Sequence, residues 1–369
     1  MSDTTTDRRA LLDAVYRQLA QRLDAIPNGF PATDSGVELR LLQKIFAPEE
    51  ATLAAVMRLT PESAAAIADR AGVDSKTAAR TLNGMARNGQ IRVQKGKGQL
   101  TFELMPFVVG IYEMQLPRMD AELAVLFEQY YQETQAGIVR PPPAVHRVIP
   151  VEKAIPFDLE IFPYERASEL LASAKSWGVT DCICRLQQRL VGKGCDRPIE
   201  SCLVLAPVED AFRHGNLARP ISREEALRIL REAAEAGLVH SSANHRGQHN
   251  YICNCCTCCC GVIRGVAEFG IPTAIARSDF HAVVDTEVCA GCGDCVEACQ
   301  FQALSVPGDT CEADYARCVG CGLCVTVCTI NALQLERRPE GEVTLPPANE
   351  ADWMIQRARA RGISISDVV

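Results

Sequence analysis

Apolar side chains recur at helical spacing from residue 7 to residue 25: Leu11, Leu12, Val15, Leu19 and Leu23 fall on one stripe. That period predicts an amphipathic helix. Asn28-Gly29-Phe30-Pro31 breaks it. A second helix is expected over 37–46, and Pro48 can open a third. Residues 60–103 carry the outline of a winged helix-turn-helix. Thr60 reads as an N-cap, with Pro61 at the first helical position and Glu62 close behind. Ala64, Ala65, Ile67 and Ala68 offer small apolar contacts, and Gly72 permits a tight turn. Asp74 or Ser75 then caps a helix over 76–88, with Leu82 and Met85 inward. Strand-like runs at 90–94 and 99–104 flank Lys95-Gly96-Lys97-Gly98, a hairpin signal.

Residues 105–134 read as a helical pair interrupted near Pro117. Their face of Phe107, Val108, Ile111, Leu123, Leu126 and Phe127 is expected to pack under the winged helix or against a second copy, as in a homodimer. Pro141-Pro142-Pro143 marks a stiff linker. A helix over 222–239 has Ser222 as N-cap, Glu225 closing a capping box and Gly237 at its end. A last helix spans 352–361. The expected fold class is α+β. A helical, winged-helix-like domain spans 1–140 and a cysteine-rich α+β middle domain 141–281. A separate module follows at 282–337, then a helical tail at 338–369.

Composition narrows the class. The chain has 369 residues, 47% of them hydrophobic, enough for real cores. It has no run of about 18 apolar residues to span a bilayer. Its start, polar and then amphipathic, lacks the apolar core of a signal peptide. A cytoplasmic location is expected. In a reducing compartment nineteen cysteines signal metal or redox chemistry, not a disulfide scaffold. The net charge of −8 argues against a wholly nucleic-acid-binding protein, but it is uneven. Residues 285–337 carry eight acidic and two basic side chains, whereas 61–103 carry seven Lys and Arg against four Asp and Glu. An acidic surface steers toward a basic partner, an effect that salt weakens.

The cysteine spacing says more. Cys289-x2-Cys292-x2-Cys295-x3-Cys299 is followed by Cys318-x2-Cys321-x2-Cys324-x3-Cys328. Three closely spaced thiolates hold three corners of a [4Fe-4S] cubane, and a distant cysteine supplies the fourth. Zinc knuckles use two CxxC pairs instead of such a triplet. Residues 282–337 resemble bacterial two-cluster ferredoxins. The resemblance implies two cubanes with exchanged fourth ligands: Cys289, Cys292, Cys295 and Cys328 on one, and Cys318, Cys321, Cys324 and Cys299 on the other. The proline that usually follows the last cysteine is replaced by Gln300 and Thr329. Phe301-Gln302-Ala303-Leu304 answers Ile330-Asn331-Ala332-Leu333, and both are suited to packing on cubane faces. Cys311 falls outside the spacing and reads as a spare thiol.

Ten further cysteines lie between 182 and 260: Cys182, Cys184, Cys195, Cys202, Cys253, Cys255, Cys256, Cys258, Cys259 and Cys260. Adjacent cysteines cannot all face one ion. Either the region holds one or two further iron–sulfur clusters, or it is a zinc or thiol site. Cys182, Cys184, Cys195 and Cys202 could form one site by themselves, or some could join the 253–260 run. His240, His245 and His249 could ligate iron, as in Rieske centres, but read more simply as surface-loop histidines. Arg185, Arg189 and Lys193 beside the first cysteines either offset thiolate charge or are simply solvated. No nucleotide or flavin fingerprint is present.

The whole arrangement resembles a group of bacterial 4Fe-4S ferredoxin-type proteins. These place a helical N-terminal region before a CxCR segment (Cys182-Ile183-Cys184-Arg185), an NCCxCCC run (Asn254 to Cys260) and a terminal ferredoxin module. That resemblance implies electron transfer, which suits a cluster-bearing subunit of a larger oxidoreductase with a flavoprotein or another metal centre as redox partner. Two rivals stand beside it. One is a redox-sensing DNA-binding regulator, touching nucleic acid through Lys76, Arg80 and Arg87 on the second helix and Lys95 and Lys97 on the wing. The other is an enzyme with a substrate-binding cluster or thiol in the middle domain.

Overall fold

In the computed structural model the described residues are 3–366, without Lys97, 157–160, His214 and Asn216, and with backbone alone for 3–12. Leu11 and Leu12 of the expected stripe and Lys97 of the expected wing therefore lie outside the described side chains. The chain forms two compact units, Met1–Pro141 with Met354–Val369, and Pro142–Trp353.

The first unit begins with helices Asp3–Asp24, Val37–Ile45 and Pro48–Ala54. Leu19, Leu23, Leu41, Leu42 and Ile45 are buried among them. Next come helices Ala64–Ala71 and Ser75–Arg87, then an antiparallel hairpin of Ile91–Lys95 and Leu100–Leu104. Thr60 and Pro61 do not start the first of these helices. Glu62–Ser63 is drawn into the sheet against Leu100–Leu104, so the helix begins at Ala64, with the Ser63 hydroxyl accepting from Ala66 N at 3.2 Å. Asp74 caps its neighbour, accepting from Thr77 N at 2.9 Å.

The first half of the expected helical pair is not a regular helix. Between Pro106 and Gly110, the β-branched Val108 and Val109 are extended. A 3₁₀ stretch, Glu113–Arg118, follows, and the true helix is Ala121–Glu133, capped by Asp120. Its apolar face is covered within the unit: Phe127 stacks on Tyr112 with centroids 3.7 Å apart, and Phe107 packs on Phe30. Near the other end of the chain, the fully buried Arg357 donates to the carbonyls of Pro27, Ile138 and Pro141.

The second unit is built on a seven-stranded sheet. Its order is Ile275–Ala276, His146–Val148, Val239–Ala243, Tyr251–Cys255, Glu200–Ala206, Ser176–Asp181, Arg219–Ile221, antiparallel except for the first pair. Helices Ala167–Ala172 and Arg223–Glu235 cover one part of it, burying Leu170, Leu171, Leu203, Leu205, Ile229 and Ile252. The helix expected over 222–239 is shorter than read, because Val239 already belongs to a strand. At its start the Ser222 hydroxyl accepts from Glu225 N at 3.2 Å. After the sheet, strands Phe280–Val284 and Leu333–Arg337 pair, carrying between them the short helices Asp294–Ala298 and Leu323–Val327.

The histidines read as surface residues are buried: His240 is 3%, His245 7% and His249 4% exposed. Val239–Ala243 is an interior strand, which takes His240 inside, and His249 packs back on Ser242 at 2.6 Å. Burial holds His146 down to about 4, and burial together with neighbouring His245 does the same to His249. Both are therefore neutral in the fold, while the unfolded chain takes up protons below its ordinary histidine pKa of 6.5. Their contribution is complete above that value and is lost as pH falls toward the folded one. At 1.36 kcal/mol per unit it amounts to about 3 kcal/mol each. The melting midpoint should fall between pH ~6.5 and ~4, and His146→Gln should flatten that fall. An unchanged slope in the variant would rule out this origin.

Candidate iron–sulfur and metal centres

The two ferredoxin-like motifs are not independent loops. Cys299 closes the helix Asp294–Ala298 of the first motif, yet it lines the same cavity as Cys318, Cys321 and Cys324 of the second. The rest of the lining is apolar, including Ala282, Phe301, Leu323 and Leu335. Backbone amides point at these sulfurs: Ala282 N lies 3.4 Å from Cys318 Sγ and Ala303 N 3.3 Å from Cys299 Sγ. The other set repeats the device, with Ala332 N at 3.2 Å from Cys328 Sγ and Cys311 N at 3.3 Å from Cys289 Sγ. Amide bonds to sulfur stabilise thiolates, and an apolar wall keeps water away. Four thiols around such a cavity fit the donor set of a cubane.

Close backbone approach explains two of the spacer glycines. A Cβ on Gly320 would lie 2.2 Å from Phe280 O, and one on Gly291 2.4 Å from Asp309 O. Cys311, read as spare, is buried and stands 3.5 Å from Cys295 Sγ. Burial pushes its thiol up to about 12. The first motif is the more open, since Cys292 is exposed while Cys318 and Cys324 are buried.

The ten middle thiols separate into two sets. Cys182, Cys184, Cys260, Cys255, Cys253 and Cys202 form a closed ring of neighbours, in which each sulfur acts on the ionisation of the next and the last on the first. Cys184 and Cys202 serve the Cys182 sulfur, which they hold far below the ordinary thiol range. Cys195, Cys256, Cys258 and Cys259 form the second set, their sulfurs all within 4.8 Å of one another. The first four of the ten in sequence, Cys182, Cys184, Cys195 and Cys202, are therefore not one site. Cys195 sits in the loop beyond the helix Ile183–Leu190 and joins the later run instead.

Arg185 lies between the two sets and is fully buried. It donates to Asn254 O at 2.8 Å and to the Ser201 hydroxyl, and reaches Cys256 Sγ at 4.0 Å. Burial opposes its charge, but the sulfurs of Cys182, Cys202, Cys256 and Cys255 outweigh that and raise its pKa. Arg189 and Lys193 are exposed; Arg189 bonds the carbonyls of Cys195 and Arg197 and so shapes the loop. Sequence reading missed Arg197, whose Nη1 lies 3.7 Å from Cys258 Sγ. The three histidines meet partners other than sulfur: His240 meets Asn254 at 2.5 Å, His249 meets Ser242, and His245 packs on His249.

Gln300, the residue in place of the usual proline, joins the two regions. Its amide accepts from Thr257 N at 2.7 Å and donates to Gly237 O. Thr257 stands between Cys256 and Cys258, and Gln300 follows Cys299. One side chain thus spans from the ferredoxin wall to the middle thiols. Proline could form none of these bonds. In the N-terminal unit Lys76, Arg80, Arg87 and Lys95 are exposed, on the helix Ser75–Arg87 and its hairpin.

The comparisons with known proteins agree with the C-terminal geometry. The 4Fe-4S binding domain family matches residues 282–305 and 312–334. No curated protein and no solved structure matches the chain. The C-terminal stretch is thus a 4Fe-4S binding domain, which indicates an iron–sulfur electron-transfer function. Among the described residues no helix is long and apolar enough to cross a membrane.

Proposed function

We propose that the chain is an electron relay serving a larger oxidoreductase. Cys289, Cys292, Cys295 and Cys328 hold one cubane of the relay, and Cys299, Cys318, Cys321 and Cys324 the other. The observation that carries this reading is the shared cavity, in which Cys299 of one motif meets three thiols of the next. In this reading the ring of Cys182, Cys184, Cys202, Cys253, Cys255 and Cys260 holds one further iron–sulfur cluster. Bound clusters supply one-electron chemistry at potentials set by charge, amide bonds to sulfur and exposure. The chain's residues set those terms. Arg185 balances thiolate charge, Ala282, Ala303, Cys311 and Ala332 donate amides, and Gln300 fixes the spacing between the module and the middle thiols.

The helices Ala64–Ala71 and Ser75–Arg87, with their hairpin, act here as a winged-helix-like docking domain. Their exposed bases suit an acidic redox partner, and the acidic stretch 285–337 suits a basic one. Anaerobic purification should give about 12 iron atoms and as many acid-labile sulfides per chain, at four per cluster. About 8 of each would remove the middle cluster and leave a two-cubane ferredoxin. Absence of iron would sink the relay altogether.

A further inference from the structure

Cys195, Cys256, Cys258 and Cys259 have a geometry unlike either ferredoxin set or the ring. Three sulfur–sulfur distances are explicit: 3.9 Å for Cys195–Cys256, 3.7 Å for Cys195–Cys259 and 3.7 Å for Cys258–Cys259. The other three pairs lie within 4.8 Å. Four points this close to one another make a tetrahedron. A tetrahedron of sulfurs around one ion, with metal–sulfur bonds of about 2.3 Å, has edges of about 3.8 Å. The three explicit edges bracket that length.

A cubane does not fit this set. Its four thiolates sit on four different irons and point outward from the corners, so they stand farther apart than sulfurs sharing one ion. Among the described residues this is the one group of three or more metal-binding side chains whose ligand atoms all fall within 4.8 Å. The ferredoxin cysteines, though complete in the structure, do not meet that closeness. The charges agree with a single divalent ion. Four thiolates and one such ion leave two negative charges. Two guanidinium groups face the set, Arg197 at 3.7 Å from Cys258 and Arg185 at 4.0 Å from Cys256.

We infer that Cys195, Cys256, Cys258 and Cys259 bind one divalent metal ion in a closed tetrathiolate site, of the kind zinc or ferrous iron takes. The ion ties the loop after Ile183–Leu190 to the end of Tyr251–Cys255. It needs no fifth ligand and leaves no open position, so its role is structural. The middle domain then holds one cluster and one ion, not two cubanes.

The test uses the full chain, purified anaerobically and analysed for zinc, iron and acid-labile sulfide together. One equivalent of zinc, or one equivalent of iron in excess of sulfide, supports the site, since a lone ion brings no sulfide. X-ray absorption at the edge of that metal should show four sulfurs at about 2.3 Å and no metal neighbour. Cys258, the exposed member, gives the cleanest variant. Cys258→Ser should lose that one equivalent while sulfide stays unchanged. Iron and sulfide in equal amounts with no zinc would overturn the inference, as would a Cys258→Ser protein that loses about four sulfides, the content of a cubane. If that variant proves unstable, the absorption spectrum of the unaltered protein decides alone.

Discussion

An alanine at Gly320 should remove one ferredoxin cluster and leave the other. The new Cβ would lie 2.1 Å from Ser278 Oγ and 2.2 Å from Phe280 O. The serine could rotate, but the carbonyl belongs to a paired strand and cannot retreat without breaking it. The backbone at Gly320 is also left-handed, with φ at +70°, which costs a residue bearing a Cβ roughly 1–2 kcal/mol. Relief comes only if the loop carrying Cys318 and Cys321 lifts off, which opens the cavity those thiols share with Cys299 and Cys324. Iron should fall by about four atoms per chain, with sulfide falling in step. Gly293→Ala is the control: its φ is also positive, but a Cβ there meets nothing within 4 Å. That protein should keep its iron. A Gly320→Ala protein with full iron content would show that the loop tolerates the displacement and that the contact is not decisive.

Arg185→Met should be the most damaging change outside the ligands. Methionine keeps volume but removes the charge that the surrounding sulfurs require and the donors that serve Asn254 O and Ser201. Breaking a buried charged contact by deleting one partner costs about 3–5 kcal/mol. For a unit of this size that is a fall in melting midpoint of roughly 10 °C. Metal should leave the middle domain while the terminal module keeps about 8 iron atoms. Arg185→Lys should rescue little, because an ammonium cannot bond Asn254, Ser201 and Cys256 at once in a fixed fork. Normal melting and normal metal content in Arg185→Met would mean that the sulfurs are balanced from elsewhere.

The terminal module was legible in sequence because its motif cysteines are local: three of every four fall within seven residues. The middle domain was not, because its sets are assembled from three separate segments. One signal was present and unused. Cys253-x-Cys255 has the two-residue period that places side chains on one face of an extended chain. Cys253 and Cys255 lie on the strand Tyr251–Cys255 and both join the ring. Cys256, Cys258 and Cys259 lie past the strand's end, where the period lapses, and join the other set. The histidines were misread for a related reason: a loop-like composition hid the fact that Val239–Ala243 is an interior strand. Thr60 failed as a cap because the two residues after Pro61 were claimed by a sheet partner some forty residues away. The helices Val37–Ile45 and Ser75–Arg87, set by nearby periodicity and caps, were read to within a residue or two.

The seam at Gln300 bears on how this protein can be taken apart or recombined. A short two-motif module of this kind invites a cut at its first strand, Phe280–Val284, and a graft elsewhere. Here that cut would strand Gln300 without Thr257 and Gly237, and would leave Val151 N without Cys321 O. The excised piece would carry all eight cysteines of the two motifs and still lose contacts that brace it. Lineages that shuffle such cassettes freely would have to exchange residues 142–353 as one block, and a designer borrowing the module should borrow that block as well.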